Sequence, residues 1–175
     1  MAKDIKQLAA DIARHQKELS RYMKRDAPRI AGKLGVDHFR ESFDNEGFTN
    51  NGLHKWPARK HDTGRKILTG ETKELQDSID YDINLAKVGF GFDVAYGSIH
   101  NQGGITHPSV TKKSRKWAWY MFKKTGDPKY KGLAMTRKTR LEVRIQQRQS
   151  IGHSKELIDK VDTRIERDIT NILNS

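Results

Sequence analysis

The sequence predicts an α+β fold: a small antiparallel sheet, made of a hairpin at about 77–93 and a strand at about 136–146. A long kinked N-terminal helix, a basic middle helix and a C-terminal amphipathic helix pack on it. Three observations predict this. Two adjoining runs near the centre alternate apolar and polar residues with period two. Both ends of the chain carry apolar residues at spacings of three and four. Between them lies a short aromatic and lysine-rich stretch bounded by a capping threonine and a Gly-Asp-Pro stop. At 175 residues the chain fits one domain, here 1–175, with a basic insertion at about 105–138.

The N-terminal helix is expected from residue 4 to about 44. Asp4 followed by Gln7 has the capping-box spacing. Ile5, Leu8, Ile12, Leu19 and Tyr22 or Met23 then form a narrow apolar stripe. Pro28 removes a backbone donor, so a kink or break is expected near Asp26 to Pro28. Beyond it Ile30, Leu34, Phe39 and Phe43 supply the buried side. Residues 45–66 read as loop, with Asn45, Gly47, Asn50, Asn51, Gly52 and Pro57 as punctuation and Trp56 as the apolar anchor. A turn and a short helical piece follow through Leu68 to Leu75.

Ile79, Tyr81, Ile83 and Leu85 alternate with Ser78, Asp80, Asp82 and Asn84; Val88, Phe90, Phe92 and Val94 alternate with Lys87, Gly89, Gly91 and Asp93. This is a hairpin with one apolar face. Gly89 and Gly91 lie on its other face, where something can approach the backbone closely. Tyr96 to Gly104 reads as a tight connector. Thr111 caps the basic helix that carries Trp117, Trp119, Tyr120, Met121 and Phe122. From about Thr136 to Gln146, Thr139, Leu141, Val143 and Ile145 alternate with Lys138, Arg140, Glu142 and Arg144, as in a strand. Ser154 caps the last helix, with Glu156 in its first turn and a stripe of Ile158, Val161, Ile165, Ile169 and Ile172 or Leu173.

Composition narrows the function classes. Hydrophobic residues make up 34% of the chain and charged residues 32%, a polar balance for a compact monomer. Either some folding energy is therefore expected from partners, or parts of the chain are expected to be extended. The chain contains no cysteine, which rules out a disulfide framework and a cysteine nucleophile and suits assembly in a reducing cytoplasm. No secretion signal and no spanning segment of roughly 20 apolar residues is read in it. The net charge is +12, and between Lys112 and Arg148 thirteen Lys and Arg face only Asp127 and Glu142. Such a field fits nucleic acid, an acidic protein face, or a solvated surface.

No Gly-x-Ser-x-Gly elbow or phosphate-cradling loop is found. Gly89-Phe90-Gly91 is explained by its strand. The seven histidines are scattered, and the pairs His54/His61 and His100/His107 lack the helical spacing of a zinc protease. Asp80 and Asp82 share a strand face, which ordinary polar-face residues explain more cheaply than the clustered carboxylates of a metal-dependent nuclease. No catalytic residue, metal ligand or cofactor site is assigned. The open alternative is a nucleic-acid-binding protein using the 112–148 segment. There Lys112, Lys113, Arg115, Lys116, Lys138, Arg140 and Arg144 would contact phosphates or an acidic partner. Trp117 and Trp119 would stack on bases, unless the aromatics pack on the sheet.

Four landmarks occur in a fixed order. Trp56-Pro57 lies in the loop after the first helices. Ile67-Leu68-Thr69-Gly70-Glu71, Leu75 and Ser78-Ile79 follow. Next comes Tyr96-Gly97-Ser98-Ile99-His100-Asn101-Gln102-Gly103-Gly104, and last Ile145-Gln146-Gln147-Arg148-Gln149-Ser150-Ile151-Gly152 before the final helix. This order resembles the phage virion morphogenesis (tail completion, or head–tail joining) family. Gln146 stands where that pattern has proline, Ser150 where it has phenylalanine, and a basic piece is added between Gly104 and Leu141.

The resemblance implies a non-catalytic structural protein of a tailed phage or prophage. It implies a homo-oligomer, a ring, at the neck, meeting other head-completion and tail proteins and DNA in the channel. Its place would be the virion, after assembly in the host cytoplasm and without a membrane. The motif positions Trp56, Leu68, Gly70, Leu75, Ile79, Tyr96, Ile99, His100, Gln102, Gly103, Arg148 and Gly152 are expected to shape the fold.

Overall fold

The computed structural model describes residues 4–59, 64–85 and 87–175. The chain forms two compact units, Met1–Gln102 with Arg148–Ser175, and Gly103–Gln147. The basic insertion read from the sequence falls inside the second.

The first unit opens with α1 (Ile5–Arg21), continues through a π-helical turn at Tyr22–Asp26, and resumes as α2 (Ala27–Asn45). Pro28 explains the wide turn. It has no N–H to offer the carbonyl four residues back, and its ring crowds that carbonyl. The ladder slips by one residue, and the Ala27 amide donates to the Tyr22 carbonyl five positions back. Helix α2 ends at Glu46, which adopts a left-handed φ of 49°. Gly32 and Gly35 expose the backbone of α2 on one face. A Cβ at Gly32 would overlap the Tyr81 ring, and one at Gly35 would overlap the Phe90 ring.

Those rings belong to a hairpin of β3 (Ile79–Asn84) and β4 (Lys87–Phe92), numbered after the smaller β1 (Gly47–Thr49), β2 (Leu53–Lys55) and helix α3 (Glu74–Asp77). Ile79 pairs with Phe92, Tyr81 with Phe90 and Ile83 with Val88, so the apolar alternation puts one face on α2. Asn84 pairs with Lys87, which ends the strand before Leu85; that residue takes φ 56° and is exposed instead of extending the apolar face. The glycine face is close-packed at Gly89, where a Cβ would lie 2.6 Å from the Asp82 carboxylate, and open at Gly91.

The core gathers Val36, Phe39, Phe43, Phe48, Trp56, Leu75, Ile79 and Leu157. Phe39 meets the edge of Phe90 at 5.0 Å and Phe43 meets Trp56 at 5.4 Å, both nearly perpendicular. The loop expected over 45–66 contains the β1–β2 hairpin. Asn51 and Gly52 turn it with φ values of 50° and 104°. Gly97–Gln102, read as a connector, is a short helix, α4.

The unit closes with α7 (Lys155–Leu173). Ser154 caps it, its side chain accepting from the Leu157 amide. Leu157 is the buried residue of the first turn, whereas Ile158, expected in the stripe, is exposed. Tyr22 is buried, and its hydroxyl donates to Asp168 on α7 at 3.1 Å. Of the two candidates at that point of the stripe, Tyr22 turns inward and Met23 outward.

The second unit holds β5 (Gly104–Thr106), α5 (Lys112–Thr125), α6 (Pro128–Met135) and β6 (Val143–Ile145). A reciprocal Thr111–Ser114 capping box starts α5, and Gly126 in a left-handed conformation ends it. The long strand expected at 136–146 shrinks to β6, and β6 pairs with β5, not with the β3–β4 hairpin. Pro108 gives the physical reason for the shortening. The Leu141 amide donates to the Pro108 carbonyl at 2.9 Å, but proline has no N–H to return, so the ladder breaks after Thr106 and Val143. In place of the expected three-stranded sheet the described residues form two-stranded pairs. Asp80 and Asp82 face Gly91 and Gly89 across the β3–β4 pair.

Candidate interaction surfaces

Three of the four sequence landmarks converge in the first unit. The Arg148 amide donates to the His100 carbonyl at 2.8 Å. The Arg148 guanidinium reaches the Pro57 carbonyl through Nη2 at 3.1 Å and Nε at 3.3 Å. The indole of Trp56 donates to the Gln149 carbonyl at 2.6 Å. Asn101 clamps the same segment: its Oδ1 accepts from the amides of Ser150 (2.7 Å) and Ile151 (2.9 Å), and its Nδ2 donates to the Ile151 carbonyl at 3.0 Å. Ser42 on α2 adds a contact to the buried Ser150 carbonyl at 3.4 Å. Sequence reasoning passes over Asn101 because it lies in a segment that ends in Gly103-Gly104 and reads as a connector; only the folded chain brings residue 150 to it.

The other motif residues take varied places. Leu75 and Ile79 are core residues, and Leu68 packs on the core with a φ of 62°. Gly70 (φ 57°) is exposed. The exposed Tyr96 donates its hydroxyl to Glu74 at 2.8 Å and lies edge-on to His100. Ile99 is half-buried and Gln102 exposed. A Cβ at Gly152 would meet the Gln149 side chain. Gly103 (φ 73°), in the second unit, is crowded by the Gln147 backbone. Burial, then the Arg148 charge, pushes the His100 imidazole below its usual range.

A cleft of about 480 Å³ beside α2 brings Asp37, Asp77, Asp80 and Asp93 around Arg40. The guanidinium donates to the carbonyls of Asp77 (3.0 Å) and Ile79 (3.4 Å), and Gln76 donates to the Arg40 carbonyl at 3.1 Å. Arg40 thus joins α2 to the end of α3 and the start of β3. Nearby on α2, His38 is buried, and that burial, followed by the Lys160 charge, pushes its pKa down. Among the described residues no group of three or more His, Asp or Glu is arranged to hold a metal ion, and no helix is long and apolar enough to cross a membrane. His61 lies outside the described residues.

Two surfaces remain. On α1, Ile5, Leu8 and Ile12 are 82%, 51% and 60% exposed, and no residue of that helix is buried. In the second unit, Lys112, Lys113 and Lys116 on α5 are exposed, while Arg115 turns inward and donates to the Lys138 carbonyl at 3.1 Å. Lys138, Arg140 and Arg144 are exposed but do not share one strand face, because only Arg144 lies within β6. Trp117 and Tyr120 are also exposed, Trp117 meeting Tyr130 of α6 edge-on at 5.6 Å. The chain matches no known protein family, no curated protein and no solved structure.

Proposed function

We propose that this chain is a structural protein of a tailed phage or prophage, acting in tail completion or head–tail joining by assembling with sister copies and with other virion proteins at the neck. The observation that carries this reading is the uncovered stripe of α1. A water-soluble surface leaves single apolar residues exposed as a matter of course, but an ordered row on one helix face is an interface waiting for its other half. Burying Ile5, Leu8 and Ile12 would contribute about 1.5–3 kcal/mol each. Association costs about 4–15 kcal/mol in lost translational and rotational freedom. One such contact is therefore marginal, and a closed ring, in which every subunit uses two faces, gathers enough of them. The order of the Trp56, Gly70, His100 and Arg148 landmarks supports the phage assignment.

Sedimentation velocity over a wide concentration range tests it. The expected result is a concentration-dependent oligomer that Leu8→Ser/Ile12→Ser shifts to monomer while the circular dichroism spectrum stays unchanged. A wild-type chain that remains monomeric throughout, with tail components present, refutes the reading.

A further inference from the structure

Twelve Lys and Arg lie between Gly103 and Gln147 against Asp127 and Glu142, a net charge of +10 on the second unit. Helix α5 sorts this charge by face. Ala118 is fully buried, with Ser114, Met121 and Phe122 half-buried beside it. At 3.6 residues per turn, Lys113, Lys116, Trp117, Tyr120, Lys123 and Lys124 fall together within about 120° on the other side. All six are exposed, Trp117 by 51% and Tyr120 by 60%. The helix contains no acidic residue. Four like charges on one face repel each other, and two large rings stand in water among them. Neither arrangement stabilises the unit by itself.

We propose that this face binds single-stranded nucleic acid, the lysines lying along the phosphates and Trp117 and Tyr120 stacking on bases. The aromatic residues decide between partners. A duplex already stacks its bases on each other and keeps their faces from a protein ring, whereas a single strand offers them freely. An acidic peptide would engage the lysines and leave both rings idle. A membrane-surface helix places its apolar side chains opposite its lysines, so that one face enters the lipid; here rings and lysines occupy the same face and no aliphatic residue lies among them. Tyr130 holds the Trp117 indole at 85° to its own ring, so part of the orientation exists before binding. The inference is independent of assembly through α1.

Fluorescence anisotropy of a labelled oligothymidylate with the full chain tests it. Four phosphates neutralised on a single strand give a salt slope near −2.8, a loss of about 50-fold between roughly 50 and 200 mM salt. Lys116→Glu/Lys123→Glu should flatten that slope. Tyr120→Ala should weaken binding by about fivefold or more, while Tyr120→Phe, which keeps the ring, should stay near wild type. A duplex of the same length should bind more weakly. Equal affinity for strand and duplex, an unchanged affinity for Tyr120→Ala, or no binding at low salt would overturn the proposal. So would capture by phosphatidylserine vesicles without capture of the oligonucleotide. Sedimentation of the same samples keeps this result separate from that for assembly.

Discussion

Gly32→Ala should destabilise the protein even though alanine is the better helix former. In the interior of a helix the exchange normally gains about 0.5–1 kcal/mol, because alanine has less backbone freedom to lose. At Gly32 the new methyl group would enter the Tyr81 ring, and one of the atoms it meets is Cγ at 2.7 Å, the root of the ring. Rotation of the ring about its own axis leaves Cγ in place, so strand β3 or helix α2 must shift. Overpacking of this kind costs about 1–3 kcal/mol, and the net loss is on the order of 1–2 kcal/mol after the helical gain. Removing the ring should reverse the sign: in a Tyr81→Ala background, Gly32→Ala should stabilise by about 0.5–1 kcal/mol. Urea unfolding followed by circular dichroism, completed as a double-mutant cycle, measures both values. If Gly32→Ala stabilises the protein to the same extent with and without the Tyr81 ring, the close approach of the hairpin to α2 is wrong.

Two further predictions follow from polar groups in the first unit. Asn101→Ala removes three hydrogen bonds at once and strands the Ser150 and Ile151 amides; it should cost about 1–3 kcal/mol in urea unfolding, and a loss within error of zero would contradict the clamp. Stability should also fall in mild acid. His38 and His100 have pKa values lowered in the fold, chiefly by burial. The unfolded chain therefore takes up their protons first as pH drops below about 6.5, and the stability present above that value is lost down to the folded pKa values. His38→Gln should lose less than wild type between pH 7.5 and pH 5.5, and a wild type equally stable at both would refute the assignment. Glu156 and Asp168 act in a lower window. Their carboxyls are held below the usual range, by the Gly52 amide and by Arg164 foremost, so their contribution is lost only below about pH 4.

The long N- and C-terminal helices and the central hairpin were legible because each repeats a simple period over many residues, whereas the short α4 and α6 were not. Pro28 marked the defect in the N-terminal helix for the same reason that it makes one: it has no N–H. The β1–β2 hairpin was not legible as strands, since three-residue strands carry too little alternation, although Asn51-Gly52 signalled its turn. The alternation at 136–146 was real as a pattern, yet a strand also needs a neighbour able to return every hydrogen bond. Pro108, some thirty residues upstream, removes one of them. For the surfaces, the identity of the basic and aromatic residues could be read directly. Which of them stay outside could not: Arg115 sits between lysines in sequence but turns inward, while Trp117 and Tyr120 remain exposed.

The two junctions of the second unit have a consequence for change over time. Gly104 pairs with Ile145 just inside the excursion, and the Arg148 amide bonds the His100 carbonyl just outside it. The chain thus departs and returns at neighbouring points. The loop-closure entropy of such an excursion grows only with the logarithm of its length, about 0.6 kcal/mol per doubling. A lineage can therefore lengthen this excursion at little entropic cost to the closure of its ends.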